Sequence, residues 1–556
     1  MWNSRRSNSI GLGGAVASDN ASATLEGLRV LEEGGTAADA ALTVGAMLNV
    51  LQPSSNGIGG DAWVLYYDSS SKKVTCLDGV GKSGSLFTSG FLKEKEFHQS
   101  IPRYHAATVT VPGAAAAWLD LHESYGRLPI ARLFRPAIHT AKAGYPIQEW
   151  ATYLWNQYYQ DMEMSRYPLK APYNIQPSIG DIIRLPELAL VYEDLITNGK
   201  NSFYNGRIAR AIVDEVTANG GCLTLEDLAA HKSSWVEPYF TTYTSKTQGR
   251  SFKVWEPPMT SQALVTLEAL NISSYLNIPF DLEEPNYYHL LAEALGCSFE
   301  DIGSLWYDSP NGQPSPSEVS HLLTIQHAER RSGHISTEAI MKRRTTPGYR
   351  SSGSDTTYFC TFDKSGNAAS VVVSNYCGFG SHCVPKGYGF TLHNRGYAFW
   401  DGMHKRFFPA VKPFHTLMAG MITDTTTDRF LSSFGVMGAQ NQPQSHLQVI
   451  MGLLEFGKLP QEVLDTPRFR LSFNYEDNSS QFHYEEGISE KVVNSLLRKG
   501  HNIAASSPVT GYERTYFGRG HIICKSDLFR SFPEHDQTVI AGSDPRSDGA
   551  AHCLLT

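Results

Sequence analysis

The sequence predicts an α+β sandwich whose sheets take strands from both halves of the chain. Runs of β-branched and aromatic residues cluster towards the two ends of the sequence, and helical spacing of apolar residues dominates between and beside them. No internal repeat of fixed period interrupts this pattern. With 556 residues, of which 41% are apolar, the chain is long enough for two domains or for one large layered body.

The individual elements follow from periodicity and from the residues that flank each run. Helices are expected where apolar residues recur every three to four positions, and strands where β-branched and aromatic residues run between turn residues. Ser18 or Asp19 would cap the first helix, and Gly34 would end it. The prediction in chain order is helices at 19–33 and 37–51, strands at 62–67 and 74–77, a mostly helical stretch at 133–295 with loops at 168–181 and 257–262, strands at 356–362, 368–374, 384–392 and 430–436, a helix at 445–456, and short strands near Ile522 and Val539.

The composition excludes several classes of partner. Lys and Arg number 47 against 55 Asp and Glu, a net charge of -8, and no basic block is present, so neither a nucleic acid nor an anionic membrane surface is expected as a partner. No run of about 18 apolar residues suggests a membrane span, and no signal peptide is evident, so the cytosol is the expected compartment. Eight cysteines without a CxxC pair fit reduced thiols and argue against a structural zinc site.

A threonine at the head of a predicted hairpin is the strongest candidate for chemistry. Thr356 opens the first strand, residues 363–367 form the turn, and the second strand returns to Ser374. A lone threonine on a strand is usually structural. Cleavage of the chain before Thr356, however, would place an α-amine with a pKa of about 8 beside its hydroxyl, and that amine could act as the base. Residues 343–354 are polar, basic and contain glycine, as expected for an exposed mobile segment at a cleavage point.

Six short motifs occur in the order that one enzyme family shows. They are Gly34-Gly35-Thr36-Ala37, Gly57-Ile58-Gly59-Gly60, Thr110-Val111-Pro112-Gly113, Tyr125-Gly126-Arg127, Arg135-Pro136-Ala137 and Asp355-Thr356-Thr357-Tyr358. Together they resemble the γ-glutamyltranspeptidase family from about Gly14 to Gly549. The resemblance implies an N-terminal-nucleophile hydrolase with an αββα core, made from a precursor that cuts itself into a large and a small subunit.

The resemblance also implies the roles of particular residues. The bond between Asp355 and Thr356 is the expected autocleavage site, which gives a large subunit of residues 1–355 and a small catalytic subunit of residues 356–556 that stay together as a heterodimer. The Thr356 hydroxyl is the nucleophile, first against the Asp355 carbonyl and then against the amide of a small-molecule substrate. Neither a metal nor an organic cofactor is implied.

Further residues are expected to support the nucleophile. The backbone N–H groups of Gly438 and Ala439 match the pair that stabilises the oxyanion in the family, although the same stretch could be only a turn after the strand at 430–436. Thr357 is expected to order the nucleophile, and Ser374 stands where the family places a hydroxyl facing it. Both hydroxyls could equally be cross-strand pairs without a catalytic role.

The sequence departs from the true transpeptidases where those enzymes grip the two charged ends of a glutamyl group. The loop at residues 78–89 has no arginine, Ala398 stands where the family has an acidic residue, and the serine pair of the small subunit has no match. Loss of these charge-assisted contacts, about 1.5–3 kcal/mol each, should remove most γ-glutamyl selectivity. With Asn394-Arg395-Gly396, Gly435-Val436-Met437-Gly438 and Gln442-Pro443-Gln444, the chain instead resembles the divergent glutathione hydrolase-like branch, which includes an oxamate amidohydrolase.

Arg395 and Tyr376 are the candidates for substrate binding in this divergent pocket. Arg395 follows a predicted strand at 388–392 and could hold a small carboxylate near Thr356, with Arg103 as a second candidate. A structural arginine is the open alternative. The histidines of the small subunit show no metal-ligand spacing and are expected to be structural; they are His382, His393, His415 and His446.

These observations lead to one hypothesis and two rivals. The hypothesis is a self-processing amidohydrolase that cleaves a small amide, γ-glutamyl-like or oxamate-like, through a threonyl acyl-enzyme. The first rival is a genuine glutathione hydrolase or γ-glutamyltransferase with a rebuilt pocket. The second is an uncleaved pseudoenzyme that serves as a binding scaffold. A serine hydrolase is not expected, because no Gly-x-Ser-x-Gly elbow is evident.

Overall fold

The structure is a computed structural model that describes residues 6–97, 100–163, 167–309, 314–341, 355–399, 409–474, 479–532 and 538–556. The segment predicted to be mobile, residues 343–354, lies outside the described residues. Among the described helices, none is both long and apolar enough to cross a membrane.

Strands and helices are mixed along the described chain. The strands are β1 (Ser9–Gly11), β2 (Ala15–Ser18), β3 (Asp61–Asp68), β4 (Lys73–Gly79), β5 (Tyr145–Pro146), β6 (Ile182–Ile183), β7 (Ser234–Val236), β8 (Tyr239–Thr244), β9 (Ser251–Glu256), β10 (Asp355–Phe362), β11 (Ala368–Tyr376), β12 (Gly420–Asp424), β13 (Phe430–Val436), β14 (Phe469–Asn474), β15 (Ser479–Tyr484), β16 (Asn502–Ile503), β17 (Gly520–Lys525), β18 (Val539–Ser543) and β19 (Ala550–Cys553). The helices are α1 (Ala21–Glu32), α2 (Ala37–Leu51), α3 (Ser89–Glu94), α4 (Ala114–Tyr125), α5 (Ile130–Ala143), α6 (Glu149–Glu163), α7 (Pro186–Asn198), α8 (Lys200–Tyr204), α9 (Arg207–Ala218), α10 (Leu225–Ala229), α11 (Leu264–Ser274), α12 (Pro285–Asp308), α13 (Pro316–Leu322), α14 (Ile325–Ser332), α15 (Asn441–Leu454), α16 (Pro460–Asp465) and α17 (Glu490–Arg498).

Two seven-stranded sheets pack face to face in the middle of the molecule. The first sheet has the strand order β1-β18-β17-β13-β12-β9-β8, and the second sheet has the order β19-β2-β10-β11-β3-β4-β7. Apolar side chains from both sheets fill the space between them, among them Trp63, Tyr358, Met421 and Ile523. Helices α1, α2 and α4 pack on the outer face of the second sheet, where α5 covers α2, and α11, α15 and α16 pack on the outer face of the first, where α12 covers α11. The predicted αββα sandwich is therefore confirmed.

Alternation of side chains along the hairpin of β10 and β11 decides which residues reach each layer. In β10, Tyr358 and Cys360 pack between the two sheets, whereas Phe359 packs against the helices. This is the two-residue period of a strand that has a core on both faces. Every residue of β10 and β11 is buried, so Thr356 lies near the start of a central strand of the molecule.

Several predicted element boundaries are wrong. The cap of α1 is Asn20, whose side-chain oxygen accepts a hydrogen bond from the Ser22 N–H at 2.9 Å, and not Ser18 or Asp19. The stretch at 133–295, predicted to be mostly helical, contains β7, β8 and β9. These strands were missed because their polar and aromatic residues alternate without a long apolar run.

Two other segments differ from the prediction for reasons of local chemistry. Residues 384–392 form no strand, because Gly387 and Gly389 adopt φ angles of 83° and 56° that turn the chain. No helix was predicted near residue 316, but Ser315 caps α13 and accepts a hydrogen bond from the Glu318 N–H. Helix α15 also begins earlier than predicted, at Asn441.

The two predicted subunits interleave within each sheet. In the second sheet, β2, β3, β4 and β7 come from residues 1–355, while β11 and β19 come from residues 356–556. In the first sheet, β1, β8 and β9 come from the former range and the other strands come from the latter. Cleavage before Thr356 would thus leave one body held together by shared sheets. That cleavage stays a prediction.

Candidate active site

A β-bulge in β11 lies opposite the start of β10. The register of the hairpin shifts between Asp355 and Thr357, so that two residues of β11, Ser374 and Asn375, lie opposite Thr356. A bulge bends its strand and redirects a side chain, and bulges are common beside active sites. The Thr356 side chain is completely buried in the uncut chain.

The Ser374 hydroxyl joins the predicted nucleophile to the carbonyl that it is predicted to attack. Ser374 Oγ donates a hydrogen bond to the Asp355 carbonyl oxygen at 2.9 Å and accepts one from the Thr356 hydroxyl at 3.2 Å. The Tyr376 N–H donates to the same serine oxygen at 2.7 Å and fixes its position. This arrangement polarises the Asp355 carbonyl and holds the Thr356 oxygen beside it.

A buried arginine that the sequence analysis did not single out binds the Asp355 carboxylate. Arg519 Nη2 donates to Asp355 Oδ1 at 2.9 Å, and Arg519 Nε donates to Asp19 Oδ2 at 2.9 Å. The Thr356 N–H also donates to Asp355 Oδ1, at 2.9 Å, and the Ser55 hydroxyl donates to Oδ2. Burial by itself lowers the pKa of Arg519, but the Asp19 and Asp355 carboxylates outweigh burial and raise it above its ordinary value.

Thr357 is held by the glycine-rich turn that follows α2. Asn56 Nδ2 donates to Thr357 Oγ1 at 2.9 Å, and Asn56 Oδ1 in turn accepts a hydrogen bond from Asn49. The contact holds the residue that follows Thr356 in place. The supporting role of Thr357 stays a prediction.

A fully buried charge cluster lies at the start of β3, which is separated by β11 from the strand that carries Thr356. Asp61 faces Ser374 across β3 and β11, His415 Nε2 lies 3.1 Å from Asp61 Oδ2, and His393 Nδ1 lies 3.8 Å from the same oxygen. Burial lowers the pKa of His415 to about 3 and holds the pKa of His393 below its ordinary value. Although burial opposes ionisation of Asp61, the two rings and the Arg395 charge lower its pKa. The rings therefore support a buried carboxylate.

Arg395 and Tyr376 contact each other directly. Arg395 Cζ lies 4.2 Å from the centre of the Tyr376 ring, and Arg395 Nη1 donates to Thr416 Oγ1 at 3.0 Å. Tyr376 pairs with Asp355 in the sheet and has a φ of 76°, a left-handed angle that is strained for this residue type. Arg395 begins a short turn, Arg395–Phe399, rather than following a strand. Its role in substrate binding stays a prediction.

The remaining arginine and histidine candidates, Arg103, His382 and His446, contact aromatic rings or a carboxylate. The half-buried Arg103 guanidinium lies 5.9 Å from the centre of the Tyr104 ring and 5.8 Å from that of the Tyr397 ring. Tyr104 stacks on His382 with ring centres 4.0 Å apart. His446 belongs to α15, and its Nδ1 lies 2.7 Å from a carboxylate oxygen of Glu256 at the end of β9.

The two N–H groups predicted to bind the oxyanion precede α15. Gly438 and Ala439 have φ angles of 132° and 54°, and these left-handed angles turn the chain from β13 towards the helix. In the part of the chain that the structure describes, neither N–H group donates to an acceptor. The Met437 N–H donates to the Arg519 carbonyl oxygen at 3.0 Å, which ties the turn to the arginine that holds Asp355. Two such amides at a helix N-terminus suit a developing oxyanion.

A separate group of acidic and histidine side chains lies between α11, α12 and α14. Among the described residues, Glu268, Asp301 and His327 bring one potential ligand atom each to within 4.8 Å of one another. Arg330 Nη2 lies 2.9 Å from His327 Nδ1, and an arginine can only donate. The ring proton therefore sits on Nε2, between the two carboxylates, whereas a metal would need that nitrogen deprotonated. The group is better described as a hydrogen-bonded cluster.

The sequence model of the family described as Gamma-glutamyltranspeptidase matches residues 23–554. The chain belongs to the gamma-glutamyltranspeptidase family. The resemblance inferred from the six motifs is thereby confirmed.

Several relatives of this gamma-glutamyltranspeptidase family member match it over almost its full length. The glutathione hydrolase-like YwrD proenzyme of Bacillus subtilis (strain 168) is 30% identical over 554 residues and covers 98% of each chain. The oxamate amidohydrolase proenzyme of Klebsiella pneumoniae is 27% identical and covers 98% of this chain and 99% of that protein. Among solved structures, a cephalosporin acylase from Bacillus halodurans is 33% identical, with a TM-score of 0.86 and coverage of 99% of this chain and 97% of that one. The fold is thus that of an N-terminal-nucleophile hydrolase.

Some residues around the site carried little signal in the sequence of this family member. Ser55 and Asn56 lie in the noted glycine-rich turn, but their polar side chains resembled ordinary turn residues. Arg519 stands between Gly518 and Gly520, and a Cβ at Gly518 would lie 2.1 Å from the Met437 carbonyl oxygen. A glycine pair around a lone arginine is the sequence signal that could have pointed to close backbone packing there.

Proposed function

We propose that this gamma-glutamyltranspeptidase family member is a self-processing amidohydrolase that uses Thr356 first against its own chain and then against a small amide. The observation that supports this proposal most directly is the Ser374 hydroxyl, which contacts both the Thr356 hydroxyl and the Asp355 carbonyl oxygen. The words proenzyme, amidohydrolase and acylase in the names of its relatives agree with the two steps.

The first step is cleavage of the chain. The Thr356 oxygen attacks the Asp355 carbonyl carbon, the peptide C–N bond breaks, and the hydroxyl proton passes to the departing nitrogen of Thr356. Water then opens the resulting ester, which leaves a new carboxylate on Asp355 and a hydroxyl and an α-amine on Thr356. As charge develops on the Asp355 carbonyl oxygen, the Ser374 hydrogen bond stabilises it, and one such donor contributes about 3 kcal/mol.

The second step is cleavage of the substrate. The new α-amine of Thr356 accepts the proton of its own hydroxyl, and the oxygen attacks the carbonyl carbon of a small amide. The N–H groups of Gly438 and Ala439 would receive the oxyanion. The amine of the substrate leaves with the proton, and water or an acceptor amine resolves the acyl-enzyme.

Cleavage of the chain is the first experiment. The wild-type protein should give two bands on a denaturing gel, with the sizes of residues 1–355 and 356–556, and the small fragment should begin at Thr356. Thr356→Ala should give a single band of 61.4 kDa and no turnover. Thr361→Ala is the matched control, because Thr361 is a buried threonine of the same strand. Its hydroxyl donates a hydrogen bond to the Ala37 carbonyl oxygen at 2.7 Å. A processed or active Thr356→Ala variant would refute the proposal, and an uncut wild-type chain would favour the scaffold.

Substrate comparison separates the amidohydrolase from a genuine glutathione hydrolase or γ-glutamyltransferase. The loop at residues 78–89 offers no arginine, and its Asp78 is engaged by Lys412, whose Nζ lies 2.6 Å from Asp78 Oδ2. We therefore expect slow turnover of γ-glutamyl-p-nitroanilide compared with small carboxylate-bearing amides such as oxamate. Faster turnover of the γ-glutamyl compound would favour the rival.

A further inference from the structure

The uncut chain already holds one acyl group in the reaction position, namely that of Asp355. Thr356 would attack the Asp355 carbonyl carbon, so the Asp355 side chain occupies space beside the nucleophile where the acyl group of a substrate must later lie. Thr356 and Asp355 are 0% and 1% exposed. A substrate can therefore reach the Thr356 hydroxyl only after Asp355 has left.

The space that Asp355 occupies is lined by hydrogen-bond donors for a carboxylate. Asp355 Oδ1 accepts from Arg519 Nη2 and from the Thr356 N–H, each at 2.9 Å. Asp355 Oδ2 accepts from the Ser55 hydroxyl. Arg519 and Ser55 are themselves 1% and 0% exposed, so departure of Asp355 leaves their donors facing the vacated space.

Cleavage also changes the charge balance in favour of a new anion. In the uncut chain Arg519 lies between two carboxylates, those of Asp19 and Asp355. After Asp355 leaves, Asp19 alone balances Arg519, and the new α-amine of Thr356 adds a basic group to the same space. Asp548, a further carboxylate near this region, is engaged by the first turn of α6. Because buried donors without partners are unfavourable, an incoming carboxylate would be stabilised here.

We infer that Arg519 and Ser55 form the subsite for a carboxylate on the acyl donor. The donor class is the monoamide of a four-carbon dicarboxylic acid, such as a succinyl or aspartyl amide. In Asp355 the Cα and Cβ atoms separate the carbonyl carbon from the carboxylate, and a succinyl group has the same spacing. The inference rests on the proposed function of Thr356.

The reaction at this subsite is acyl transfer followed by hydrolysis. The Thr356 oxygen forms an ester with the succinyl carbonyl carbon, the amide C–N bond breaks, and the amine leaves with the proton that the Thr356 α-amine took from the hydroxyl. Water then adds to the ester, releases succinate and restores the hydroxyl. The distal carboxylate stays bound to Arg519 and Ser55 throughout.

The test compares the succinyl, glutaryl and butyryl amides of p-nitroaniline as substrates of the processed protein. The kcat/KM for the succinyl compound should exceed that for the butyryl compound, which has no carboxylate, by about tenfold or more, the usual effect of a hydrogen bond to a charged group. The glutaryl compound, which is one carbon longer, should lie between them. Ser55→Ala should lower the succinyl value by about tenfold and the butyryl value by clearly less, because only the succinyl compound brings a carboxylate to this position. In the described chain the Ser54 side chain makes no hydrogen bond, so Ser54→Ala is the matched control and should change neither value.

Each outcome supports or overturns the subsite. Equal values for the succinyl and butyryl compounds, a preference for glutaryl over succinyl, or equal losses on both in Ser55→Ala would overturn it. If no anilide is cleaved, succinate should still raise the Tm of the processed protein more than butyrate does, and equal shifts would overturn the subsite. Failure of the proposed function shows separately, as an uncut wild-type chain on a gel or as activity in Thr356→Ala.

Discussion

Replacement of Ser374 by alanine tests the arrangement at the scissile bond. The change removes the hydroxyl that donates to the Asp355 carbonyl oxygen at 2.9 Å and accepts from the Thr356 hydroxyl at 3.2 Å. Loss of one oxyanion donor slows a reaction by about 100- to 1,000-fold, equivalent to about 3–4 kcal/mol. If the serine were only structural, loss of its hydrogen bonds would lower the free energy of unfolding by about 1 kcal/mol each, without a matching effect on the cleavage rate.

The assay follows the first cleavage of newly made protein. A short pulse of cell-free synthesis is followed by a chase, and the appearance of the two fragments is measured on a denaturing gel. The half-time for Ser374→Ala should be about 100 times that of the wild type. Ser370→Ala is the matched control, because Ser370 lies on the same strand and its hydroxyl makes two buried contacts away from Thr356, with Tyr358 at 2.7 Å and the Gly420 carbonyl oxygen at 3.0 Å.

Two results would refute this reasoning about Ser374. The first is a wild-type cleavage rate in a folded Ser374→Ala variant. The second is equal slowing by Ser370→Ala, because the effect would then come from loss of packing or stability in β11. A urea titration of both variants, made uncleavable by Thr356→Ala, measures that stability directly.

Three further predictions concern stability and charge. Asp39→Asn should lower the free energy of unfolding, measured in urea, by about 2–3 kcal/mol, because buried Asp39 accepts backbone hydrogen bonds at the start of α2 and in the turn after α4. The pKa of His415 is lowered from 6.5 to about 3. Between pH 6.5 and about pH 3, the unfolded chain therefore binds more protons than the folded chain. Stability should therefore fall as the pH drops below 6.5, by up to about 1.4 kcal/mol per pH unit. Arg395→Ala should lower the free energy of unfolding by about 1–3 kcal/mol, because it removes the buried hydrogen bond from Arg395 to Thr416, and it should reduce turnover of anionic substrates more than that of neutral amides.

Controls distinguish these effects from general loss of stability. Asp181→Asn, at an exposed aspartate that accepts the Ser178 N–H at 2.8 Å, should change the free energy of unfolding by less than about 0.5 kcal/mol. In His415→Gln the stability should fall less steeply between pH 6.5 and pH 5 than in the wild type, and an unchanged slope would contradict the assignment. Equal losses on anionic and neutral amides in Arg395→Ala would contradict a role in binding a substrate carboxylate.

Local sequence patterns were sufficient where the structure depends on neighbouring residues. The hairpin was predicted close to its observed bounds because β-branched residues flank a turn with the sequence Asp363-Lys364-Ser365-Gly366-Asn367. The same logic failed at residues 384–392, where apolar residues suggested a strand but two glycines with left-handed φ angles turn the chain. It also missed β8 and β9, whose alternation of buried and exposed residues becomes evident only when the strands lie on a sheet.

The sequence by itself determined the family, the αββα class and the candidate nucleophile, because motifs and short-range periodicity depend on residues that are close together in the chain. Only the tertiary structure brought Arg519 to Asp355, across 164 positions, and placed Ser55 on the other oxygen of the same carboxylate. Those contacts depend on which strands neighbour each other and on how the two sheets face, and hydrogen bonds act over about 3 Å. The chemistry of the pocket therefore follows from packing between distant segments, which local sequence patterns do not specify.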